Sequence, residues 1–272
     1  MLSGQATVRS RRLTKTARMN RTIHASESPG LRVGCAGWSL ASKVASSFGT
    51  EGTHLERYAR VFSCVEINSS FYRSHQEKTY LRWGESVPEG FRFSVKMPRT
   101  ITHELRLQHC EAPLVAFLRE VSGLKDKLGC ILIQLPPSLA LDSKTARAFF
   151  RLLRKVTSTP VVCEPRHASW FTAKADALLR EADISIVWAH PSPVAGVEPI
   201  LHPELLYIRL HGAPEVYYSA YDRTFIDSVA TRMRLSAGDG RDAWCIFDNT
   251  ARGEAVPNAL TLKAMLDAEQ PD

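Results

Sequence analysis

Short apolar runs alternate with amphipathic stretches along most of the chain. The runs are rich in Val, Ile, Leu and Cys, as buried strands are, whereas apolar residues spaced three and four apart indicate helices. Phe91 to Lys96 alternates apolar and polar side chains with a period of two, which is typical of a strand. The whole pattern predicts eight strands, at residues 31–35, 64–68, 91–96, 129–135, 160–164, 184–189, 206–211 and 243–248.

A helix is predicted after seven of these eight strands. Thr53 and Glu56 have the spacing of a capping box, and Asp142 and Asp222 are placed to cap two later helices. The proline-rich segment after the sixth strand has no helical period and is predicted to be a loop. Residues 97–108 are predicted to form a second long polar loop.

The order of these elements predicts the fold class. Strands separated by helices pair in parallel through right-handed crossovers. Eight such units in roughly 240 residues predict one α/β domain, a (β/α)8 barrel of the TIM type over residues 32–268. The alternative is an open doubly wound sheet, which is disfavoured because no Gly-x-Gly-x-x-Gly turn or P-loop follows any strand.

The charge is concentrated at the N-terminus. Residues 1–31 contain six Lys and Arg residues and one Glu, which gives +5 of the net charge of +7 on the 272 residues. We predict that this segment is a disordered basic arm. A nucleic-acid-binding arm, an organelle-targeting segment and an incidental tail before a later start at Met19 are all open. The nearly neutral remainder argues against a protein that coats a polyanion.

The remaining composition indicates a cytoplasmic protein. No apolar run approaches the ~20 residues of a membrane helix, and no secretory signal is present, so no membrane partner is predicted. None of the six cysteines forms a Cys-x-x-Cys motif, and five of them fall in predicted strands, where free cysteine behaves as a small buried hydrophobe. A reducing cytoplasmic compartment is the simplest inference.

Polar residues end nearly every predicted strand, and in a barrel of this type the active site lies at those carboxyl ends. The period of two places Arg209 and His211 on one face of a strand. The residues predicted to take part in catalysis are Glu66, Glu164, His167 and His211. The residues predicted to bind substrate are Trp38, Asn68, Tyr72, Lys96, Gln134, Arg166, Trp170, Arg209, Asp248 and Asn249.

These residue types predict a pocket of mixed charge. Guanidinium groups bind carboxylates and phosphates, and a carboxylate or imidazole with a shifted pKa moves protons. The alternative is that the groups pair with one another and only close the barrel mouth. No cofactor is predicted. No metal ligands are predicted either, because no His-Glu-x-x-His spacing occurs, although a divalent metal is left open. A Ser-His-Asp triad is disfavoured, because no Gly-x-Ser-x-Gly motif occurs.

Several blocks together resemble the YecE family, which is defined by a domain of unknown function. The likeness spans about residues 32–267 and implies a TIM-type barrel, without an established activity. The family pattern has Asn where this chain has Asp248, which adds a negative charge. The blocks are Val33–Trp38, Val65–Tyr72, Phe93–Lys96, Gln134–Pro137, Glu164–Trp170, Arg209–Gly212 and Asn249–Thr250.

Three functions follow as hypotheses. The first is an enzyme that acts on a small polar or anionic molecule by acid–base chemistry at the barrel mouth. The second is a nucleic-acid-binding protein, which could also be a metal-dependent phosphodiester hydrolase. The basic arm and the aromatic residues after the strands suggest this hypothesis. The third is a ligand sensor without catalysis. Reaction type, substrate and oligomeric state are not predicted.

Overall fold

A computed structural model describes residues 30–199 and 205–268. The predicted basic arm lies outside these ranges except for its last two residues. Eight parallel strands form one sheet in the order β1-β8-β7-β6-β5-β4-β3-β2, which confirms the predicted TIM-type barrel. They are β1 (Leu31–Cys35), β2 (Cys64–Ile67), β3 (Arg92–Lys96), β4 (Leu128–Gln134), β5 (Val161–Glu164), β6 (Ile184–His190), β7 (Leu205–Leu210) and β8 (Asp242–Phe247).

The barrel closes between β1 and β2 by a short contact. Ala36 and Glu66 form an isolated parallel bridge, and the Gly37 amide donates to the Glu66 carbonyl at 2.9 Å. Gly34 makes this approach possible, because a β-carbon there would lie 2.2 Å from the Cys64 carbonyl oxygen. A side chain at position 34 would therefore collide with the neighbouring strand.

Helices cover the outside of the barrel. Two of them, α2 and α3, lie between β2 and β3. The predicted caps are present: Thr53 accepts from the Glu56 amide within a capping box, Asp142 accepts from Lys144, and the Asp222 carboxylate caps the Phe225 amide. The helices are α1 (His54–Ala59), α2 (Ser69–Tyr72), α3 (Glu77–Glu85), α4 (Glu111–Val121), α5 (Ser143–Val156), α6 (Ala173–Glu181), α7 (Arg223–Gly238) and α8 (Ala255–Asp267).

The two predicted loops differ in outcome. The described part of the connection between β6 and β7, residues 191–199, contains no helix, in line with the prediction. The prediction of an irregular loop over residues 97–108 was wrong for Thr100–Glu104, which form a π-helical turn. Ile101 within this turn is buried in the core, and the turn places this apolar side chain inside an otherwise polar segment.

The period of two in the strands separates two sets of side chains. Residues that face outward pack against the helices, and residues that face inward form a second, smaller cluster that includes Cys130, Val162, Tyr207 and Trp244. All six cysteines are free and buried, five of them in strands. No helix in the described ranges has the length and apolar character that a membrane span requires.

Candidate active site at the barrel mouth

The inward-facing positions change from apolar to charged toward the carboxyl ends of the strands. On β7, for example, Tyr207 belongs to the inner apolar cluster, and Arg209 and His211 follow it at a spacing of two. The same alternation brings several other predicted site residues to the same end of the barrel interior. They are Glu66, Lys96, Gln134, Glu164 and Asp248, all of which are buried.

Arg209 is the centre of this group and is 0% exposed. Its Nε and Nη2 lie 3.0 and 2.7 Å from the two carboxylate oxygens of Glu66. Nη1 lies 2.5 Å from Glu164 Oε2, and Nη2 also lies 3.0 Å from Asp248 Oδ2. One guanidinium therefore joins carboxylates from three other segments, and its donors are directed at protein groups.

Glu66 lies on the inner side of this cluster. Besides Arg209, it accepts a hydrogen bond from the Tyr207 hydroxyl at 2.9 Å, and that hydroxyl lies 2.8 Å from Ser94 Oγ. The tyrosine thus donates to the carboxylate and accepts from the serine. Glu66 is 0% exposed and does not line the cavity described below, so its contacts in this structure orient Arg209.

His211 is held between two carboxylates. Its Nδ1 lies 3.0 Å from Asp248 Oδ2, and its Nε2 lies 3.2 Å from Glu164 Oε1. Carboxylates only accept, so both ring nitrogens donate when the ring is an imidazolium. Burial lowers the pKa of His211, but the charge of Glu164 and the hydrogen bonds to both acids outweigh it, and the net pKa is raised. The site therefore favours the protonated ring.

Glu164 accepts from four side chains. Gln134 Nε2 and Arg166 Nε each lie 3.0 Å from Glu164 Oε1, in addition to the contacts with Arg209 and His211. Burial raises the pKa of Glu164, but the charges of Arg209 and His211 dominate and hold it well below the usual range of a glutamate. Glu164 is therefore a firmly ionised carboxylate.

A cavity of about 260 Å³ opens beside this cluster. Arg166 borders it with a side chain that is 24% exposed, and the Tyr217 ring stands edge-on to the His211 ring, with centroids 5.9 Å apart. Tyr217 adopts a left-handed backbone conformation with φ of 70°, which is uncommon for a bulky residue. The lining residues are Pro137, Glu164, Arg166, Ala189, Pro191, Ser192, Pro193, His211, Val216 and Tyr217.

Three cavities lined by described residues are larger than this one. One, of about 400 Å³, is lined mainly by residues of α7. The other two, of about 430 and 380 Å³, lie at the amino ends of the strands. Leu31 and Phe91 line the first, and Arg92 and Leu205 line the second, so both are remote from the Arg209 cluster. Active sites of TIM-type barrels lie at the carboxyl ends of the strands. The smaller cavity is therefore the better candidate for chemistry.

Lys96 ends β3 within the same mouth. Its Nζ lies 4.2 Å from the centroid of the Phe71 ring, and it forms no ion pair or hydrogen bond within the described ranges. Burial and the Arg209 charge together lower the pKa of Lys96 to about 8, although Glu66 and Asp248 act in the opposite direction. Within the part of the chain that the structure describes, the amine is thus a cation of the mouth without an ion-pair partner.

Other predicted site residues have mainly structural contacts. His167 Nδ1 accepts from the Ser169 amide at 3.2 Å and caps a short 3₁₀ turn. Trp170 is buried and donates from Nε1 to the Leu139 carbonyl at 2.9 Å. Asn249 donates to the Ser219 carbonyl and to the Asn258 side chain. None of the three lines the 260 Å³ cavity, and a role for them in the site stays a prediction.

Three further predicted residues stand at the rim. Asn68 Nδ2 lies 3.5 Å from Asp248 Oδ1, and Asn68 Oδ1 is buried without a hydrogen-bond partner. Trp38 packs edge-on against Trp83, with ring centroids 5.1 Å apart. Tyr72 is among the most exposed large side chains of the described ranges. The substrate-binding role predicted for these residues is not tested by their positions.

The sequence pattern missed residues that complete the site. Tyr207 and Ser94 precede Arg209 and Lys96 by two positions, so the strand period itself could have identified them. His103 lies edge-on to Phe71, with centroids 4.9 Å apart, and nothing in the pattern of the polar loop indicated its place. Burial, and then the charges of Lys96 and Arg166, lower the pKa of His103.

The three carboxylates do not form a metal site in this structure. Among residues 30–199 and 205–268, no group of three or more His, Cys, Asp or Glu side chains is placed to hold an ion. The guanidinium of Arg209 stands where their oxygens converge. No metal is therefore assigned to these residues, and the absence of a cofactor stays a prediction.

Comparison with known proteins decides the family. The family model described as "Protein of unknown function DUF72" matches residues 32–272. The chain belongs to this family. It is 42% identical to the UPF0759 protein YecE of Escherichia coli (strain K12) over 84 residues, which span only 31% of the chain and 31% of YecE. It is 21% identical to the UPF0759 protein YunF of Bacillus subtilis (strain 168) over 267 residues, covering 87% of the chain and 95% of YunF.

A solved structure supports the fold of this DUF72 protein. The crystal structure of a DUF72 family protein from Thermotoga maritima MSB8 superposes with a TM-score of 0.73 at 22% identity. The match covers 87% of this chain and 99% of the other. At this identity the likeness shows the barrel and nothing of the activity. The predicted resemblance to the YecE family is confirmed.

Proposed function

We propose that the protein is an enzyme that acts on a small anionic substrate by acid–base chemistry, with His211 as the proton donor. The position of His211 carries the proposal. It borders the mouth cavity, and two carboxylates bonded to its ring nitrogens favour the imidazolium. A general acid must be protonated and must reach the substrate. The raised pKa of His211 favours the protonated ring, and its Nε2, now 3.2 Å from Glu164 Oε1, is the N–H that would turn to a substrate in the cavity.

Arg166 is suited to bind the anionic group of the substrate. Its side chain is partly exposed at the cavity, and only Glu164 among the described residues is ion-paired with it. A guanidinium has five N–H donors, so donors remain for a carboxylate or phosphate of a ligand. Arg209 is less suited to this role, because three carboxylates surround it in the interior.

Glu164 fits a supporting role better than that of a base. Its four donors favour the carboxylate, and a carboxylate so held is a weak acceptor of a further proton. Its charge keeps His211 protonated instead. The cavity volume of about 260 Å³ is close to the lower bound of about 300 Å³ for small-molecule sites, which supports a small substrate.

Turnover of a panel of small carboxylated and phosphorylated metabolites tests this proposal. We expect His211→Asn to lower kcat by about 10²- to 10⁴-fold, the usual contribution of a general acid, with little change in KM. Arg166→Met should raise KM by about tenfold or more, because a charge-assisted hydrogen bond contributes about 1.5–3 kcal/mol. Arg180→Met, on the exposed face of α6, is the matched control. An unchanged kcat in His211→Asn would contradict the role of His211.

A further inference from the structure

We propose that Lys96 forms an imine with the substrate, so that the substrate is a small aldehyde or ketone that also carries a carboxylate or phosphate. This inference rests on the proposed function, because it assigns the carbonyl chemistry of the same anionic ligand. The Lys96 amine has no role in the acid–base catalysis proposed for His211, and the imine gives it one.

The first support is the position of the amine. Lys96 is 7% exposed and is the single lysine in the buried class among residues 30–199 and 205–268. It is the last residue of β3, at the end of the barrel where active sites of TIM-type barrels lie. It does not line the 260 Å³ cavity, so the carbonyl group of the substrate would extend from that cavity toward Nζ. A buried lysine at a strand end is poorly explained by solubility or by surface ion pairing.

The second support is that Lys96 has no ion-pair partner in the described ranges. The nearby carboxylates already have cationic partners: Glu66 pairs with Arg209, and Asp248 and Glu164 each pair with Arg209 and His211. Lys96 Nζ instead lies over the face of the Phe71 ring, a cation–π contact that favours the ammonium form without neutralising its charge. Burial and the charge of Arg209 act in the opposite direction, and both favour the neutral, nucleophilic amine.

The groups around Lys96 act in both directions. Burial and Arg209 favour the neutral amine, while Glu66, Asp248 and Glu164 favour the ammonium, and the net pKa is about 8. His103 stands edge-on to the same Phe71 ring, and burial and the charge of Lys96 lower its own pKa. A sizeable fraction of neutral amine is therefore present near pH 8.

The reaction balances without a further reactant. The lone pair of Nζ forms a bond to the carbonyl carbon as the C=O π bond breaks, which gives a carbinolamine. Nitrogen then loses its second proton, the oxygen leaves as water with both protons, and a C=N bond remains. Protonation of the imine makes it an electron acceptor for bond cleavage or proton loss at the adjacent carbon.

Trapping by borohydride tests the imine. The full-length protein is incubated with pyruvate, glyoxylate or dihydroxyacetone phosphate, reduced with sodium borohydride, and digested for peptide mass spectrometry. We expect a reduced adduct on Lys96 with at least one probe, and its loss in Lys96→Met and in Lys96→Arg. Lys144→Met, at an exposed position of α5, should retain the Lys96 adduct. Circular dichroism establishes that each variant folds.

Binding of lactate and of inorganic phosphate, measured by calorimetry, separates this inference from the proposed function. Neither probe has a carbonyl group that can form an imine, and Lys96→Arg should still bind them. Anion binding that depends on Arg166, together with no adduct on Lys96, overturns the imine and leaves the anion site intact. An adduct on Lys96 that forms equally in Arg166→Met supports the imine and contradicts the anion site. Adducts spread equally over exposed lysines overturn the imine.

Discussion

At the scale of the residue, the side chain with the largest number of buried ionic contacts is Arg209. It is fully buried and neutralises carboxylates from β2, β5 and the end of β8. Removing one partner of a buried pair costs about 3–5 kcal/mol, because it leaves an uncompensated charge. We therefore expect Arg209→Met to lower the free energy of unfolding by at least this amount, as measured by denaturation in urea.

Arg180→Met serves as the control for that measurement. Arg180 pairs with Asp176 one helical turn away on the exposed face of α6. Pairs of this kind contribute about 0.3–0.5 kcal/mol. Equal losses of stability in the two variants would mean that the Arg209 cluster contributes no more than a surface pair.

The raised pKa of His211 gives a pH dependence of stability with a defined sign. The folded state favours the protonated ring, so this contribution is fully present below the unfolded value of about 6.5 and is lost as pH rises through the folded pKa. Asp248→Asn removes one of the two carboxylates and should lower the pKa of His211. Titration of the imidazole signals by NMR measures both values.

The same variant introduces the asparagine that the resemblance to the YecE family leads us to expect at position 248, so it isolates what the charge of Asp248 adds to this chain. We expect the melting temperature of Asp248→Asn to vary less between pH 6 and pH 8 than that of the unmodified protein. An unchanged His211 titration in Asp248→Asn would show that Glu164 alone sets the charge of the ring.

At the scale of the element, the contact between β1 and β2 depends on a missing side chain. A β-carbon at Gly34 would lie 2.2 Å from the Cys64 carbonyl oxygen, so one strand must move. We expect Gly34→Ala to destabilise the protein by about 1–3 kcal/mol, the usual cost of overpacking. Differential scanning calorimetry measures the effect.

Gly90→Ala is the matched control, because a β-carbon there meets no atom within 4 Å and the backbone is not left-handed. Its effect should be neutral or slightly stabilising, since alanine restricts the unfolded chain. If the free energy of unfolding falls equally in both glycine variants, the close contact between β1 and β2 is not the reason why Gly34 is needed.

The strands and the helix caps could be predicted from the sequence, whereas the π-helical turn could not. The strands were predictable because parallel barrel strands are apolar runs of defined length, and the caps because Thr53, Asp142 and Asp222 act within one helical turn. The π-helical turn at Thr100–Glu104 was not predictable, because burial of Ile101 against the barrel decides it. Local patterns do not report such tertiary contacts.

At the scale of the whole molecule, the period of two identified which charged residues share the barrel interior, but not how they pair. Glu164 and Arg209 were predictable members of one site, since both lie near the carboxyl ends of inward-facing rows. The roles of Trp170 and Asn249 depend on main-chain carbonyls of Leu139 and Ser219, which distant loops bring close. Side-chain partners set by loop folding have no signature in local sequence.

The Arg209 cluster also has a consequence for synthesis on the ribosome. Glu66 and Glu164 precede Arg209 by 143 and 45 residues, and Asp248 follows it by 39. A nascent chain that ends before β7 therefore holds two carboxylates at inward positions without their counter-ion, and burying them is unfavourable. We therefore expect the barrel interior to close only after β7 has been synthesised, because Arg209 then supplies the missing positive charge.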